Sequence, residues 1–365
     1  MEFEVVRVQS LSESNITEVP SQYIQPPENR PRSKFVISGS LEKANGQDDA
    51  HLRIPVIDLF GFDAEQRESV REAIGEACRL WGAFYVTNHG VALELLDSIR
   101  SVGRSFFEDC SIDEKLRYAC DPNSAASQGY GSKMLTPSPQ QNETVVLDWR
   151  DYFDHHTLPM SRRDPSRWPQ FPANYREVVS QYSDQMKVLA EKLLGLISES
   201  MELPTSSIQE AVGDFYQNIT ISYYPPCPRP DLTLGLQSHS DMGAITLLIQ
   251  DDVPGLQVLK DFNWITVPPR PYAILVLLAD QTEIITNGIC RSCEHRAITN
   301  STRARLSVAT FHDPAKTVKV SPALELVTES SPARYGEVGY GDYVSSWYSK
   351  GPDGKRNIDA LRISS

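Results

Sequence analysis

The chain has 365 residues, 40% of them apolar, and a formal net charge of −13. That is enough apolar material for a sizeable core, and the acid excess argues against a nucleic-acid partner, because phosphate binding needs clustered Lys and Arg. No apolar run reaches the roughly 18 residues of a membrane span, and the polar opening MEFEVVRVQSLSESN lacks the hydrophobic stretch of a secretory signal.

Residues 1–50 carry QPPENRPRSKF and read as an extended or loosely packed arm. Ile54-Pro-Val-Ile-Asp58 then looks like a short buried strand. Over residues 64–81, Val70, Ala73, Ile74, Ala77, Leu80 and Trp81 recur at helical spacing. Gly82 follows as a stop, and AFYVTNHGV starts a second strand. Residues 93–119 and 173–201 are predicted as further helices. The stretch between them, with SQGYGSK and LDWRDYF, is predicted to be loop-rich.

From residue 217 the texture changes. QNITISYY, AITLLIQ, GLQVLK, NWITV, AILVLL, EIIT, HRAIT and ARLSVATFH are short β-branched or aromatic runs, separated by PPCPRPD, DDVPG, PPRP, NG and NSTR. About eight strands at such spacing predict a barrel or a double-sheet jelly roll. Long helices packed on that sheet give the α+β class.

The chain holds 7 histidines. His239 stands next-but-one to Asp241, just before an apolar run, and on a strand two such residues point to one face. Of the other histidines, His295 is the one on an apparent strand. Alone, His-x-Asp is a weak signal that more often marks a surface pair. Two imidazoles and one carboxylate on one side of a metal form the facial triad of non-haem iron(II) oxygenases, with the remaining positions open. The strand RARLSVATF strengthens that reading, because Arg305, Ser307, Ala309 and Phe311 share one face. An inward arginine is costly to bury without a partner. A fork that clamps an anion, helped by the Ser307 hydroxyl, explains it. A dicarboxylic acid of the shape of 2-oxoglutarate could chelate the metal at one end and meet Arg305 at the other. Tyr224, in SYYPPCP, alternates with Thr220 and Ser222 and could offer its phenol to the same ligand.

Taken together, WGAFYVTNHGV, SYYPPCPRPDLTLGLQSHSD, DDVPGLQV, ITNGICRSCEHRAITN and RARLSVATFHDP closely resemble the plant 2-oxoglutarate- and iron(II)-dependent dioxygenases. Within them, the chain is similar to the group holding anthocyanidin synthase, flavonol synthase, jasmonate hydroxylases and alkaloid O-demethylases. The resemblance implies a distorted double-stranded β-helix (jelly-roll) core over 206–320, a mostly helical N-terminal region over 51–205, and a C-terminal segment, 321–365, as a possible lid. It implies His239, Asp241 and His295 as iron ligands, and Arg305, Ser307 and Tyr224 on 2-oxoglutarate. It also implies O2 as co-substrate and ascorbate as reductant. The reaction would oxidise a small plant specialised metabolite by hydroxylation, desaturation, ring closure or O-demethylation, releasing succinate and CO2.

The chain departs from the family pattern in places. Ser222 stands where many relatives have Asn, and Leu277-Leu278-Ala279-Asp280 where they often read Asn-Ile-Gly-Asp. Thr220 replaces a basic residue of relatives with acidic or polyphenolic substrates. The expected substrate is therefore mostly apolar and ring-containing, without an essential carboxylate. Substrate contacts are expected from Phe311, Tyr152, Thr220, His155 and Tyr130, with polar contacts from Asp154. The segment 134–146 looks longer than its counterpart in anthocyanidin synthase, and GYGDYVSSWYSKG is a candidate cover for the site.

Competing readings are a hormone-inactivating hydroxylase of the jasmonate type, an ascorbate-dependent oxidase without 2-oxoglutarate, a zinc hydrolase on the same three ligands, and a non-enzymatic ligand-binding barrel. Cys78, Cys110, Cys120, Cys227, Cys290 and Cys293 read as reduced thiols, since Cys290-x-x-Cys293 lacks a second such pair for zinc. A monomer is expected, in the cytoplasm with the nucleus as a further location.

Overall fold

Helices fill the first half of the chain and strands the second, over residues 7–31, 36–37, 53–121, 128–132, 146–351 and 354–363 described by a computed structural model. The first half holds α1 (Val8–Glu13), β1 (Val36–Ile37), β2 (Val56–Asp58), α2 (Arg67–Leu80), β3 (Ala83–Thr87), α3 (Leu93–Glu108) and α4 (Ile112–Leu116). β4 (Gly129–Gly131), β5 (Asp151–His156), α5 (Tyr175–Ser200) and α6 (Ser207–Val212) complete it. The second half begins with β6 (Tyr216–Tyr224), β7 (Leu236–His239), β8 (Ile245–Gln250), β9 (Leu256–Lys260), β10 (Asn263–Thr266) and β11 (Ile274–Leu278). It continues through α7 (Asp280–Ile285), β12 (His295–Ala297), β13 (Arg305–Asp313), β14 (Lys319–Val320), β15 (Val338–Gly339), α8 (Tyr340–Lys350) and α9 (Arg356–Asp359).

An eight-stranded sheet runs β2-β3-β11-β8-β13-β6-β5-β4, and a five-stranded sheet runs β1-β10-β9-β12-β7. The strand period of two divides the larger sheet between two environments. Ile219, Ile221, Leu247, Ile249, Val276, Leu306 and Val308 join the main core with residues of α2, α3 and α5. Leu248, Leu275 and Leu277 point the other way and meet Leu256, Val258 and Ile265 of the smaller sheet. The jelly roll thus has helices on one side and a pocket between its sheets. No described helix is long and apolar enough to cross a membrane.

Several local expectations change. The expected helix over 93–119 is two helices, because Ser111 breaks it and accepts a hydrogen bond from the Glu114 amide at 3.2 Å as an N-cap. EIIT is not a strand but part of α7, whose residues are all buried. A short apolar run buried on every side carries no period to tell helix from strand. LDWRDYF is not loop but leads into β5, paired with β6 over six residues. The stretch read as a loose arm holds α1, whose Val8 and Gln9 amides donate to the buried Asp151 carboxylate at 3.0 and 2.9 Å. Gly82 ends α2 as expected; its φ is +65°, and a Cβ there would stand 2.2 Å from the Arg291 carbonyl oxygen. Of the segment 134–146, residues 134–145 lie outside those described.

Candidate metal centre and cosubstrate pocket

β7 and β12 are antiparallel neighbours, and their register sets His239 opposite His295. The two rings lie 4.3 Å apart between centroids. β7 ends at His239, so it is the turn beyond the strand, rather than the strand pleat, that brings Asp241 round to them. Asp241 Oδ1 lies 3.5 Å from His239 Nε2 and 3.8 Å from His295 Nε2. Each ring donates its Nδ1–H to a backbone carbonyl, His239 to Gln237 at 2.8 Å and His295 to Cys293 at 3.0 Å. Both Nε2 lone pairs therefore face the carboxylate, and the tautomer is fixed by the backbone. Thr246 donates to the second Asp241 oxygen at 2.6 Å.

Burial opposes the charge on Asp241, but the His295 and His239 rings and the Thr246 hydroxyl outweigh it and hold the carboxyl at about 2. Burial also lowers His239, and its contact with Asp241 more than reverses that. His295 is pushed down to about 4 by burial and by the neighbouring His239. Two neutral-capable imidazoles and an ionised carboxylate, with ligand atoms all within 4.8 Å of one another, are a donor set that fits a divalent metal with open positions.

One cavity reaches from these ligands to Arg305. Arg305 is 2% exposed. Its Nη2 donates to Gln250 at 2.8 Å, while Nε and Nη1 are buried without a partner among the described residues. A buried guanidinium with free donors fits an anion. Tyr224 lies under the guanidinium at 5.0 Å, and β13 pairs with β6 so that Ser307 stands opposite Ser222. Burial raises the Tyr224 phenol, yet Arg150, Arg305, Ser307 and Ser222 together bring it below its ordinary value. Two glycines of the quoted motifs make this possible. A Cβ on Gly235 would come within 2.6 Å of the Tyr224 ring, and one on Gly255 within 2.6 Å of the Arg305 side chain.

Further along the pocket, Thr220 and Phe311 line the wall with Ala309. Thr220 donates to Asp154 at 2.8 Å. Burial pushes Asp154 up to about 7 against the pull of Thr220 and Arg162. Tyr152 pairs with Ser222 across β5 and β6 and shares the pocket face of the sheet. Two expected contacts belong elsewhere. His155 is one residue out of phase, fully buried on the helix side, with Nδ1 donating to the Ile219 carbonyl at 2.8 Å and Nε2 accepting from Tyr175 at 3.0 Å. Tyr130 is equally buried, packed on Phe106 and Phe107 with its hydroxyl on Asp151. A stretch read as loop gave no facing to these side chains; the β5 pairing supplies it. Arg150 and Gln250 escaped the sequence reading, Arg150 because that same stretch was taken as loop.

His155 and His312 are held neutral by burial, each pushed down to about 3 from 6.5. The unfolded chain binds protons at these sites below pH 6.5 and the folded chain does not, so folding stability falls as pH drops from 6.5 toward about 3. Asp154, pushed up to about 7 by burial, acts in the opposite sense over the same window, so the histidine contribution is read as a difference: His312→Gln should lose less melting temperature than wild type as pH drops from 6.5. An identical pH dependence in the two proteins would contradict the neutral, buried placement of that ring.

The fold and site define a metal-dependent jelly-roll enzyme with a cavity for an anionic cosubstrate. Residues 215–314 match the 2OG-Fe(II) oxygenase superfamily, and residues 54–171 match the non-haem dioxygenase N-terminal region described from morphine synthesis. The chain is 38% identical to jasmonate-induced oxygenase 2 of Arabidopsis thaliana, over 98% of this chain and 92% of that one. It is 36% identical to thebaine 6-O-demethylase of Papaver somniferum, over 99% and 96% of the two chains. A crystal structure of JOX2 in complex with 2OG, Fe and JA superposes with a TM-score of 0.87 at 37% identity, covering 99% of each chain. The chain belongs to the 2OG-Fe(II) oxygenase superfamily, among its plant dioxygenases. It is an Fe(II)- and 2-oxoglutarate-dependent dioxygenase of a small plant metabolite, with O2 as co-substrate and ascorbate as reductant.

Proposed function

We propose that His239, Asp241 and His295 hold the iron, that Arg305, Ser307 and Tyr224 receive the distal carboxylate of 2-oxoglutarate, and that Phe311, Tyr152 and Thr220 border the organic substrate. The observation that carries this reading is the pairing, in one cavity, of three clustered ligand atoms with an arginine whose Nε and Nη1 are buried and unpartnered. A dicarboxylate keto acid has one end for each.

Bound there, Fe(II) with 2-oxoglutarate supplies the O2-dependent oxidation of a substrate C–H, releasing succinate and CO2. The protein's share is position and dryness. The Gln237 and Cys293 carbonyls take the Nδ1 hydrogens, so that in each neutral ring Nε2 is the lone-pair nitrogen turned toward the metal position, and Thr246 holds the Asp241 carboxylate in its orientation. Leu248, Leu256, Leu277 and Ala297 give the cosubstrate region apolar walls that keep water away.

The C-terminal segment serves as a cover. Trp347 of α8 is 6.4 Å from the His239 ring between centroids, and Tyr343 donates to Asp280 at 2.6 Å. Asp280 also accepts from Ser240, the residue between the two proposed ligands. The six cysteines are free, which fits a reducing compartment such as the cytoplasm. The reading is tested by supplying Fe(II), 2-oxoglutarate and ascorbate with a panel of plant phenolics, terpenoids and alkaloids. Succinate release that depends on both O2 and substrate is expected; product without succinate would assign the chain to the ascorbate-dependent type.

Phe311 shares its strand face with Arg305 and Ser307 and lies beyond them along β13. Phe311→Ala is expected to weaken substrate binding by about 1–3 kcal/mol. Decarboxylation of 2-oxoglutarate in the absence of substrate should persist. Equal loss of both would place Phe311 at the cosubstrate instead.

A further inference from the structure

Arg150 lies just before β5 and lines the same cavity, 4% exposed. Its Nη1 donates to the Ser222 hydroxyl at 3.1 Å, and its guanidinium rests over the Tyr152 ring at 5.2 Å. Among the described residues no carboxylate forms an ion pair with it. Asp148, two residues back, accepts from the Gln237 amide at 3.0 Å and from its side chain at 3.3 Å. Arg296, another cation of the wall, is turned to Gln257, Asn29 and the Trp264 ring.

The charge balance of the loaded pocket makes Arg150 conspicuous. Asp241 and both carboxylates of 2-oxoglutarate offset the charges of Fe(II) and Arg305. Asp148 and Asp154 act on Arg150 through space, but neither comes within ion-pair distance, so the buried guanidinium keeps only a neutral hydroxyl and a ring in direct contact, and an anion entering the pocket would pair with it. The reach of that guanidinium along the sheet says which anion. In the β5–β6 register Arg150 stands level with Tyr224, two rows before the Asp154–Thr220 pair, and its guanidinium bonds Ser222 and covers the ring of Tyr152, the residue that borders the organic substrate in the reading above. Arg305, Ser307 and Tyr224 already serve one end of the cosubstrate, and the metal the other.

We propose that Arg150 receives an acidic group of the organic substrate, a carboxylate or an ionised phenol, and so sets selectivity for acidic substrates. The inference rests on the metal and cosubstrate assignments above. It replaces the expectation of a substrate without an essential carboxylate, which followed from Thr220. The cation missing from β6 is supplied by the approach to β5.

The test uses matched probes: cinnamic acid, phenylacetic acid and a cyclopentane-acetic acid against their methyl esters, and a flavonol against its O-methyl ethers. Binding is measured by titration calorimetry under nitrogen, with Fe(II) and saturating 2-oxoglutarate, so that no turnover contributes. Wild type is expected to prefer at least one acidic probe over its neutral partner by about 10- to 100-fold. Arg150→Gln should remove that preference, and Arg150→Lys should keep part of it, because the charge survives without the fork. Affinity for 2-oxoglutarate should change by less than about twofold in both variants. Equal binding of acids and neutral partners by wild type overturns the proposal and needs no variant to fold. Weakened 2-oxoglutarate binding in Arg150→Gln with the acid preference intact also overturns it, and gives Arg150 to the cosubstrate. Failure of wild type to bind Fe(II) or 2-oxoglutarate would count against the metal and cosubstrate assignments instead.

Discussion

His295→Ala is expected to abolish turnover and the binding of Fe(II), and Asp241→Ala and His239→Ala to do the same. Three protein ligands are the minimum that leaves an open face on the metal for cosubstrate and oxygen. Removing one should cost more than the roughly 10–100-fold lost when an outer partner of a ligand is changed. His295 carries the sharpest test, because it lies on a different strand from the His239-Ser240-Asp241 turn and is brought to it only by the β7–β12 pairing. The ring is also 6% exposed, and among the described residues its hydrogen bond is made through Nδ1, which leaves Nε2 facing the Asp241 carboxylate at 3.8 Å. Metal content by atomic absorption and succinate release on the same preparation check the result. Full turnover in His295→Ala would overturn the ligand assignment.

The second large effect concerns Arg305. Arg305→Lys keeps a positive charge but loses the planar fork that meets a carboxylate with two parallel hydrogen bonds. Removing one partner of a buried, hydrogen-bonded charge pair costs about 2–5 kcal/mol. Lysine retains part of that, so a rise of about 10- to 100-fold in KM for 2-oxoglutarate is expected, with a much smaller change in KM for the substrate. Ser307→Ala should act in the same direction by about 1–2 kcal/mol. Steady-state titration of 2-oxoglutarate at saturating substrate decides it. An unchanged KM in Arg305→Lys would mean that the anion sits elsewhere.

The residues that carry these two predictions were legible in the sequence, and for a physical reason. Metal and anion chemistry narrows the residue types so far that His-x-Asp, one later strand histidine, an arginine two positions before a serine and the family resemblance together named residues that the structure brings into one cavity. The jelly roll was legible because β6, β8, β11 and β13 announce themselves as apolar, β-branched runs between turn residues. What the sequence hid was facing. Asp241 reaches the imidazoles from a turn and not from the pleat assumed for it. Asp280–Ile285 is a helix because a run buried on all sides shows no period. β5 begins at Asp151 after a polar, tryptophan-bearing stretch that reads as loop. Without that strand, His155 and Tyr130 were expected at the substrate, and Arg150 went unremarked.

The alternation along β5, β6 and β13 has a consequence for how such an enzyme changes its chemistry. Tyr152, Asp154, Thr220, Ser222, Ala309 and Phe311 sit on the cavity side, while Phe153, Ile219, Ile221, Leu306 and Val308, interleaved with them or flanking them on the same strands, belong to the helix-backed interior. Specificity and foldedness are therefore written on alternate letters of the same strands. Drift at one set can explore new metabolites while the other keeps the scaffold standing, so a single architecture can host many reactions without being rebuilt for each.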